Sequence, residues 1–135
     1  GNANFVVDDP DGFFFAIVSS SMFITWQRTV GGRLESRLRF ASTFTWNTFP
    51  LPPLSADQRI EVIDAGKAIL AARELHPGAA LADLYAPDTM ANELLDAHGR
   101  LDAVVDPLFG IQSNSPTALE LQEVLFANYV QQATD

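Results

Sequence analysis

Arg28, Arg33, Arg37 and Arg39, with Glu35 among them, form the densest charged group in the chain. These four arginines are half of the eight basic residues and fall within a dozen positions. A guanidinium donates paired hydrogen bonds to phosphate oxygens or to guanine O6 and N7, and a carboxylate accepts from cytosine N4. Trp26, Trp46 and a run of phenylalanines frame the group. A polar, charge-alternating segment inside an apolar frame reads as a surface that meets a partner, held on a packed scaffold.

Other chemistry is thinly represented. His76 and His98 are the only imidazoles, there is no cysteine, and no carboxylate is spaced with the histidines as a metal motif. His76 precedes Pro77-Gly78 and reads as a partner for a helix C-terminus. His98 falls on an apolar stripe and reads as a hydrogen-bonded core histidine. The triplet Ser19-Ser20-Ser21 lacks a glycine-flanked elbow and reads as helix caps rather than a nucleophile. Gly31-Gly32 has neither the phosphate-loop pattern nor its lysine. Asp102 and Asp106, four apart, could couple as acid and base, but no further group joins them. The expectation is of no catalytic residue and no metal site in this chain.

The totals place these residues in a globular frame. A chain of 135 residues fits one domain, or a small domain plus the edge of another. A composition 47% hydrophobic and 19% charged is that of a folded protein. The lack of cysteine suits a reducing, cytoplasmic location. No apolar run reaches the roughly 18 residues a bilayer demands, so no membrane partner is expected. The net charge is −9, and it is unevenly spread. Up to residue 47 the four arginines balance Asp8, Asp9, Asp11 and Glu35; beyond it thirteen acids face Arg59, Lys67, Arg73 and Arg100. Any contact with a polyanion must therefore come from the first part.

The elements that would position the arginines follow from periodicity. Phe13 to Val18 reads equally as a short buried strand or the start of a buried helix. The serines open a helix through about Val30, with Met22, Trp26 and Val30 as its buried stripe, stopped by Gly31-Gly32. From Arg33 to Trp46 a period of two predicts two short strands around Ala41-Ser42, with Glu35 and Arg37 on one face. Asn47 to Pro53 is an extended, proline-rich boundary. Ser55 and Gln58 form a capping box for a helix whose apolar side is Ile60, Ile63 and Leu70, flanked by Val62 and Ile69. Ala80 to Tyr85 is a short helical turn. Leu94, His98, Leu101, Val105 and Leu108 form a narrow helix-packing stripe that Pro107 should kink or end. A last helix starts with Ser115 as N-cap and Pro116 at its first position, and turns Leu121, Leu125, Phe126 and Tyr129 inward.

Several of these segments together resemble one family. Ser19-Ser20-Ser21-Met22, Trp26-Gln27-Arg28-Thr29-Val30, Gly32-Arg33-Leu34, Ser42-Thr43 and Asn47-Thr48-Phe49-Pro50 look like the C-terminal end of the MmeI-like (type IIL) DNA restriction–modification enzymes and their adenine methyltransferase relatives. Ala68 to Arg73, Leu81 to Tyr85, Ala97-His98 and Leu101 to Asp106 agree in order and spacing. Phe23, Gly31 and Pro107 depart from the family's usual residues, in ways that concern local packing. The resemblance implies methyl transfer from S-adenosylmethionine to adenine N6 in a complete enzyme, in many members with a nuclease domain. It also implies that the catalytic Asn-Pro-Pro-Tyr and the glycine-rich cofactor loop lie elsewhere, since Leu51-Pro52-Pro53-Leu54 is no counterpart. S-adenosylmethionine is then expected for the complete enzyme and not for this chain.

The expected fold class is mainly α (α+β). Residues 1–53 would be the end of a target-recognition domain with a short strand/helix/strand segment, and residues 54–135 a C-terminal domain of three main helices. The resemblance implies that Glu35 and Arg37 set base identity at one position of a recognition sequence, where other members carry Lys and Asp. The physics of a C·G pair suits a carboxylate and a guanidinium two apart on a strand. The strand pattern alone favours a surface ion pair worth roughly 0–1 kcal/mol, and it is the resemblance that turns the reading toward base contact. Arg28, Arg33 and Arg39 are expected to contact phosphates, although Arg28 could instead cover Trp26. The partners implied are double-stranded DNA, through residues 19–47, and the methyltransferase domain of the same polypeptide. The alternative is an acidic helical module that binds protein and has no DNA role.

Overall fold

The computed structural model describes residues 8–31 and 43–134. In order along the described residues lie α1 (Phe13–Val18), α2 (Ser21–Gly31), α3 (Thr43–Thr48), α4 (Ala56–Glu74), α5 (Leu81–Leu84), α6 (Asn92–Val105) and α7 (Ala118–Thr134), with a 3-10 turn at Asp106–Phe109. The mainly helical class and the three long C-terminal helices agree with expectation. The strands do not: none occurs among the described residues, and Thr43 to Trp46 belongs to α3. Residues 33–42, the remainder of the expected strand pair, lie outside the described residues.

Phe13–Val18 is a helix because its first amides find acceptors just upstream. The Asp9 carboxylate accepts from the Phe14 and Phe15 amides (3.0 and 3.1 Å), and Asp11 Oδ1 accepts from the Phe13 amide (3.1 Å). These carboxylates satisfy the orphan N–H groups of the first turn and complement its dipole. Asp11 also pairs with Arg59 of α4 (3.0 Å), whose guanidinium lies 4.1 Å from the Phe13 ring centroid. α1 is thereby fastened along α4.

The contact between α1 and α4 explains which face of α4 is buried. Its N-terminus carries the expected capping box, Ser55 Oγ accepting from the Gln58 amide (3.1 Å) and Gln58 Oε1 from the Ser55 amide (2.9 Å). Ile60 and Leu70, expected to be inward, are 55% and 43% exposed. The buried face is instead Val62, Ala65, Gly66, Ile69 and Ala72. Small residues are needed there because the backbones approach closely. A Cβ added to Gly66 would lie 2.6 Å from Ala16 Cβ.

α6 follows its expected stripe, with Leu94, Leu101 and Val105 fully buried. It ends at Val105, two residues before Pro107, which has no amide to continue the ladder. α7 begins at Ala118, two residues later than the serine–proline pair suggests. A capping box built by Thr117 and Glu120 sets its start, the Glu120 amide donating to Thr117 Oγ1 (3.1 Å) and the Thr117 amide to Glu120 Oε1 (2.8 Å). One buried cluster runs from Ala16 and Trp26 through Ile69 and Leu101 to Leu125. Residues on both sides of position 53 therefore share a core.

A polar seam joins the α1–α2 corner to α4, α5 and α6. Arg73 Nε and Nη2 donate to the Tyr85 hydroxyl (3.1 and 2.9 Å), which lies 2.6 Å from His98 Nε2. With Arg73 donating to its oxygen, Tyr85 gives its proton to Nε2 of a neutral His98, whose other nitrogen faces the Ser19 carbonyl. Burial holds His98 below the ordinary imidazole value, which favours that neutral form. One turn on, Asp102 accepts from the Ser21 amide and hydroxyl (2.9 and 2.6 Å) and so caps α2. Asp106, one turn further, is only 7% exposed and its Oδ1 has no hydrogen-bond partner. Burial first, and then the Asp102 charge, pushes its carboxyl up to about 6.

Two stability predictions follow from this packing. Gly66→Ala should lower the unfolding free energy by about 1–3 kcal/mol through overpacking against Ala16. Gly99→Ala, whose added Cβ meets nothing within 4 Å, should raise it by up to about 1 kcal/mol through helix propensity. Urea unfolding of both variants checks the contrast. Asp106 binds a proton more tightly folded than unfolded, so its contribution to stability is fully present below about pH 3.8 and lost as pH rises through about 6. Asp106→Asn should accordingly be more stable than the parent by roughly 1–3 kcal/mol at pH 7.5. That advantage should shrink toward pH 4, as unfolding curves at the two pH values will show.

Candidate nucleic-acid interface

Residues 32–42, which carry Arg33, Glu35, Arg37 and Arg39, lie outside the described residues; what the structure gives is the frame on either side of them. α2 leads into the segment and α3 leads out of it. α2 starts where expected. Ser20 Oγ accepts from the Phe23 amide (3.1 Å) and donates to the Ile17 carbonyl (2.7 Å), which makes Ser20 the N-cap. Met22, Phe23 and Trp26 are buried, and Val30 is half-buried.

α3 forms against the β-propensity of Thr-Phe-Thr-Trp because tertiary contacts outweigh it. Trp26 Nε1 donates to Thr48 Oγ1 (3.1 Å), and that hydroxyl donates to the Phe44 carbonyl one turn back (2.9 Å). Thr45 and Phe49 are buried. Phe23 packs against Trp46 and Phe49, with ring centroids 5.9 and 4.9 Å apart, and Phe14 meets Trp46 edge-on at 4.7 Å. These aromatic contacts lock the two helices that bound the segment to each other and to α1. Trp26 and Phe49 belong to the core, and Trp46 packs against it.

Arg28 is exposed in the last turn of α2, where a cation also suits the helix dipole. Among the described residues it forms no ion pair and stacks on no ring. The role of covering Trp26 belongs instead to α7. Phe126 and Tyr129 lie 5.9 and 5.6 Å from the Trp26 ring, ring centre to ring centre. Both were expected inward, yet they are 48% and 41% exposed. Each ring meets Trp26, edge-on for Phe126 and tilted for Tyr129, while part of it stays open to solvent. Gln122 Nε2 adds a hydrogen bond from α7 to Thr29 Oγ1 (3.2 Å). Inward spacing on α7 was the available signal, but it could not name Trp26 as the partner.

The remaining titratable groups do not assemble into a reaction centre. His76 Nε2 lies 3.4 Å from Glu93 Oε1 in the first turn of α6. His98 is committed to Tyr85, and Asp102 to Ser21. Asp106 has no imidazole or nucleophile bonded to it. No group of three or more metal-ligating side chains occurs among the described residues. No helix among them is long and apolar enough to cross a membrane. What the geometry offers is a packed helical frame on either side of residues 32–42.

Comparison with known proteins finds matches along the whole chain. Residues 1–53 match the family model described as MmeI, target recognition domain, and residues 54–135 match the one described as MmeI, C-terminal domain. The DNA methyltransferase A of Bacillus subtilis (strain 168) is 37% identical over 128 residues, which is 95% of this chain and 14% of that protein. The chain thus spans about one-seventh of the length of that relative. The solved structure of the type IIL restriction–modification enzyme MmeI in complex with DNA superposes with a TM-score of 0.83 at 39% identity, covering 91% of this chain and 16% of that one. With residues 1–53 and 54–135 matched by its two domain models, the chain belongs to the MmeI family.

Proposed function

We propose that this chain is the DNA-reading end of an S-adenosylmethionine-dependent adenine-N6 DNA methyltransferase of the restriction–modification type. Residues 1–53 act as the last part of its target-recognition domain and residues 54–135 as a helical domain that supports it. The observation that carries the reading is the match of residues 1–53 to a target recognition domain, together with the likeness to an enzyme solved with DNA bound. An acidic protein-binding module would have no reason to share either. The charge distribution supports the same choice. The recognition part is locally neutral and rich in arginine, while the −9 excess lies in the helical part, away from the polyanion.

In this reading Glu35 and Arg37 contact the two bases of one pair in the major groove, carboxylate to cytosine N4 and guanidinium to guanine O6 and N7. Arg28, Arg33 and Arg39 hold phosphates and set the register without reading sequence. Clamping of α2 and α3 by Trp26 and Thr48 keeps both ends of the reading segment in place when DNA binds. The chain's own residues do not fit S-adenosylmethionine. Leu51 to Leu54 is the extended link into α4, its Leu51 carbonyl accepting from Gln132 Nε2 (3.3 Å), and no glycine-rich turn joins it. The cofactor and the methyl transfer belong to another part of the longer polypeptide.

In the complete enzyme, Glu35→Lys with Arg37→Asp should reverse the base pair accepted at one recognition position and leave the others alone. The preference at that position should shift by roughly 5- to 150-fold, the equivalent of about 1–3 kcal/mol. Arg28→Ala, by contrast, should weaken binding to all sequences alike and lower the salt slope by about one. Sequencing of methylated sites reads the first outcome. Unchanged sites in a fully active double variant would contradict the assignment.

A further inference from the structure

α7 belongs to residues 54–135, yet one side of it is committed to residues before position 53. Gln122, Phe126, Tyr129 and Gln132 recur at four, three and three positions, which sets them along that side of the helix. Gln122 Nε2 donates to Thr29 Oγ1 in the last turn of α2 (3.2 Å). Phe126 and Tyr129 cover Trp26, about one turn back along α2. Gln132 Nε2 donates to the Leu51 carbonyl, just beyond α3 (3.3 Å). Ten residues of α7, about 15 Å of helix, thus reach from α2 to the link that follows α3. Residues 32–42 lie in sequence between those two attachments.

Leu121 and Leu125 of the same helix enter the shared core, so adhesion has another source. A glutamine hydrogen bond adds little net stability, because its groups bond water in the unfolded chain. What it adds is direction, since donor, acceptor and angle must all agree. The Thr29 hydroxyl gives its one proton to the Thr25 carbonyl (2.7 Å), which leaves its oxygen to accept from Gln122. The bond therefore fixes the rotation of the last turn of α2 against α7. Arg28 stands in that turn, and Glu35 follows Thr29 by six positions. We propose that Gln122 is a positioning residue for base discrimination, acting through Thr29 on the segment that bears Glu35 and Arg37. This role rests on the reading of Glu35 and Arg37 as base contacts. A bidentate base contact tolerates less displacement than an arginine on a phosphate. Loss of the bond should cost discrimination before it costs binding.

The test uses the complete enzyme, with methyl transfer measured on duplexes that carry the recognition sequence or one substituted base pair within it. Gln122→Met keeps the side-chain length and removes the donor, while Thr29→Val keeps the shape and removes the acceptor. In each, the preference for the correct pair at the position read by Glu35 and Arg37 should fall by roughly 2- to 30-fold. Affinity for unrelated DNA and its salt slope should stay at parental values. The double variant should lose no more than the worse single one, and Thr29→Ser, which keeps the acceptor, should discriminate as the parent does. Full discrimination in both single variants, additive losses in the double, or equal weakening on every sequence would overturn the proposal. Should Gln122→Met not fold, Thr29→Val and Thr29→Ser decide alone. Glu35→Lys with Arg37→Asp, run in parallel, separates the two claims. If that swap changes the accepted pair while Gln122→Met discriminates fully, the positioning role fails and the base reading stands. If the swap changes nothing in an active enzyme, the base reading fails and the positioning role with it.

Discussion

The burial of Trp26 is the interaction on which the rest of the arrangement depends. Its indole N–H is bound by Thr48 of α3, and its ring is covered by Phe126 and Tyr129 of α7. One side chain thus fixes the helix that leads into the recognition segment, the helix that leads out of it, and the last helix of the chain. An indole buries a large apolar area, and its single donor must find an acceptor when water is excluded. Thr48 can serve only if α3 is helical, because its hydroxyl must at the same time bond back to the Phe44 carbonyl. The local conformation of Thr43–Thr48 is in this sense a consequence of Trp26.

The second constraint is the close approach of α1 and α4. Ala16 and Gly66 leave no room for a further methyl, and the acids before α1 supply its caps and its ion pair with Arg59. The polar seam completes the attachment, with Ser19 facing His98 and Ser21 bound to Asp102. The described residues before position 53 are therefore built into the helical part rather than tethered to it. For a surface proposed to read bases this rigidity matters, since misplacing a bidentate contact by an ångström forfeits its geometry. Asp106 stands apart from this economy. Its Oδ1 is buried without a hydrogen-bond partner, and the ionised carboxylate therefore weakens the fold once it loses its proton.

Features set by local chemistry were legible in the sequence. The Ser55–Gln58 capping box, the end of α6 ahead of Pro107 and the buried stripe of Leu94, Leu101 and Val105 each depend on residues within a few positions of one another. Features set by distant partners were not. Ser21 and Asp102 are 81 residues apart, and no periodicity links them. β-propensity misread Thr43 to Trp46 because it could not weigh Trp26. Large apolar residues were favoured for the inner face of α4, whereas the nearness of α1 selects small ones. At the α7 start the serine–proline pair competed with the Thr117–Glu120 box, and the reciprocal hydrogen bonds of the latter won. Glu35 and Arg37 were picked out by charge alternation and family resemblance together; periodicity alone favoured a surface ion pair over a base reader.

The measurement that bears most directly on the central claim is site-directed disulfide cross-linking. Arg37→Cys in the complete protein would be mixed with duplexes carrying an N4-thioalkyl cytosine at successive positions. This chain contributes no other cysteine. If Glu35 and Arg37 read one base pair, the cross-link should form in high yield at a single position inside the recognition sequence and fade at its neighbours. Equal yields at every position, or cross-links only outside the recognition sequence, would contradict the account.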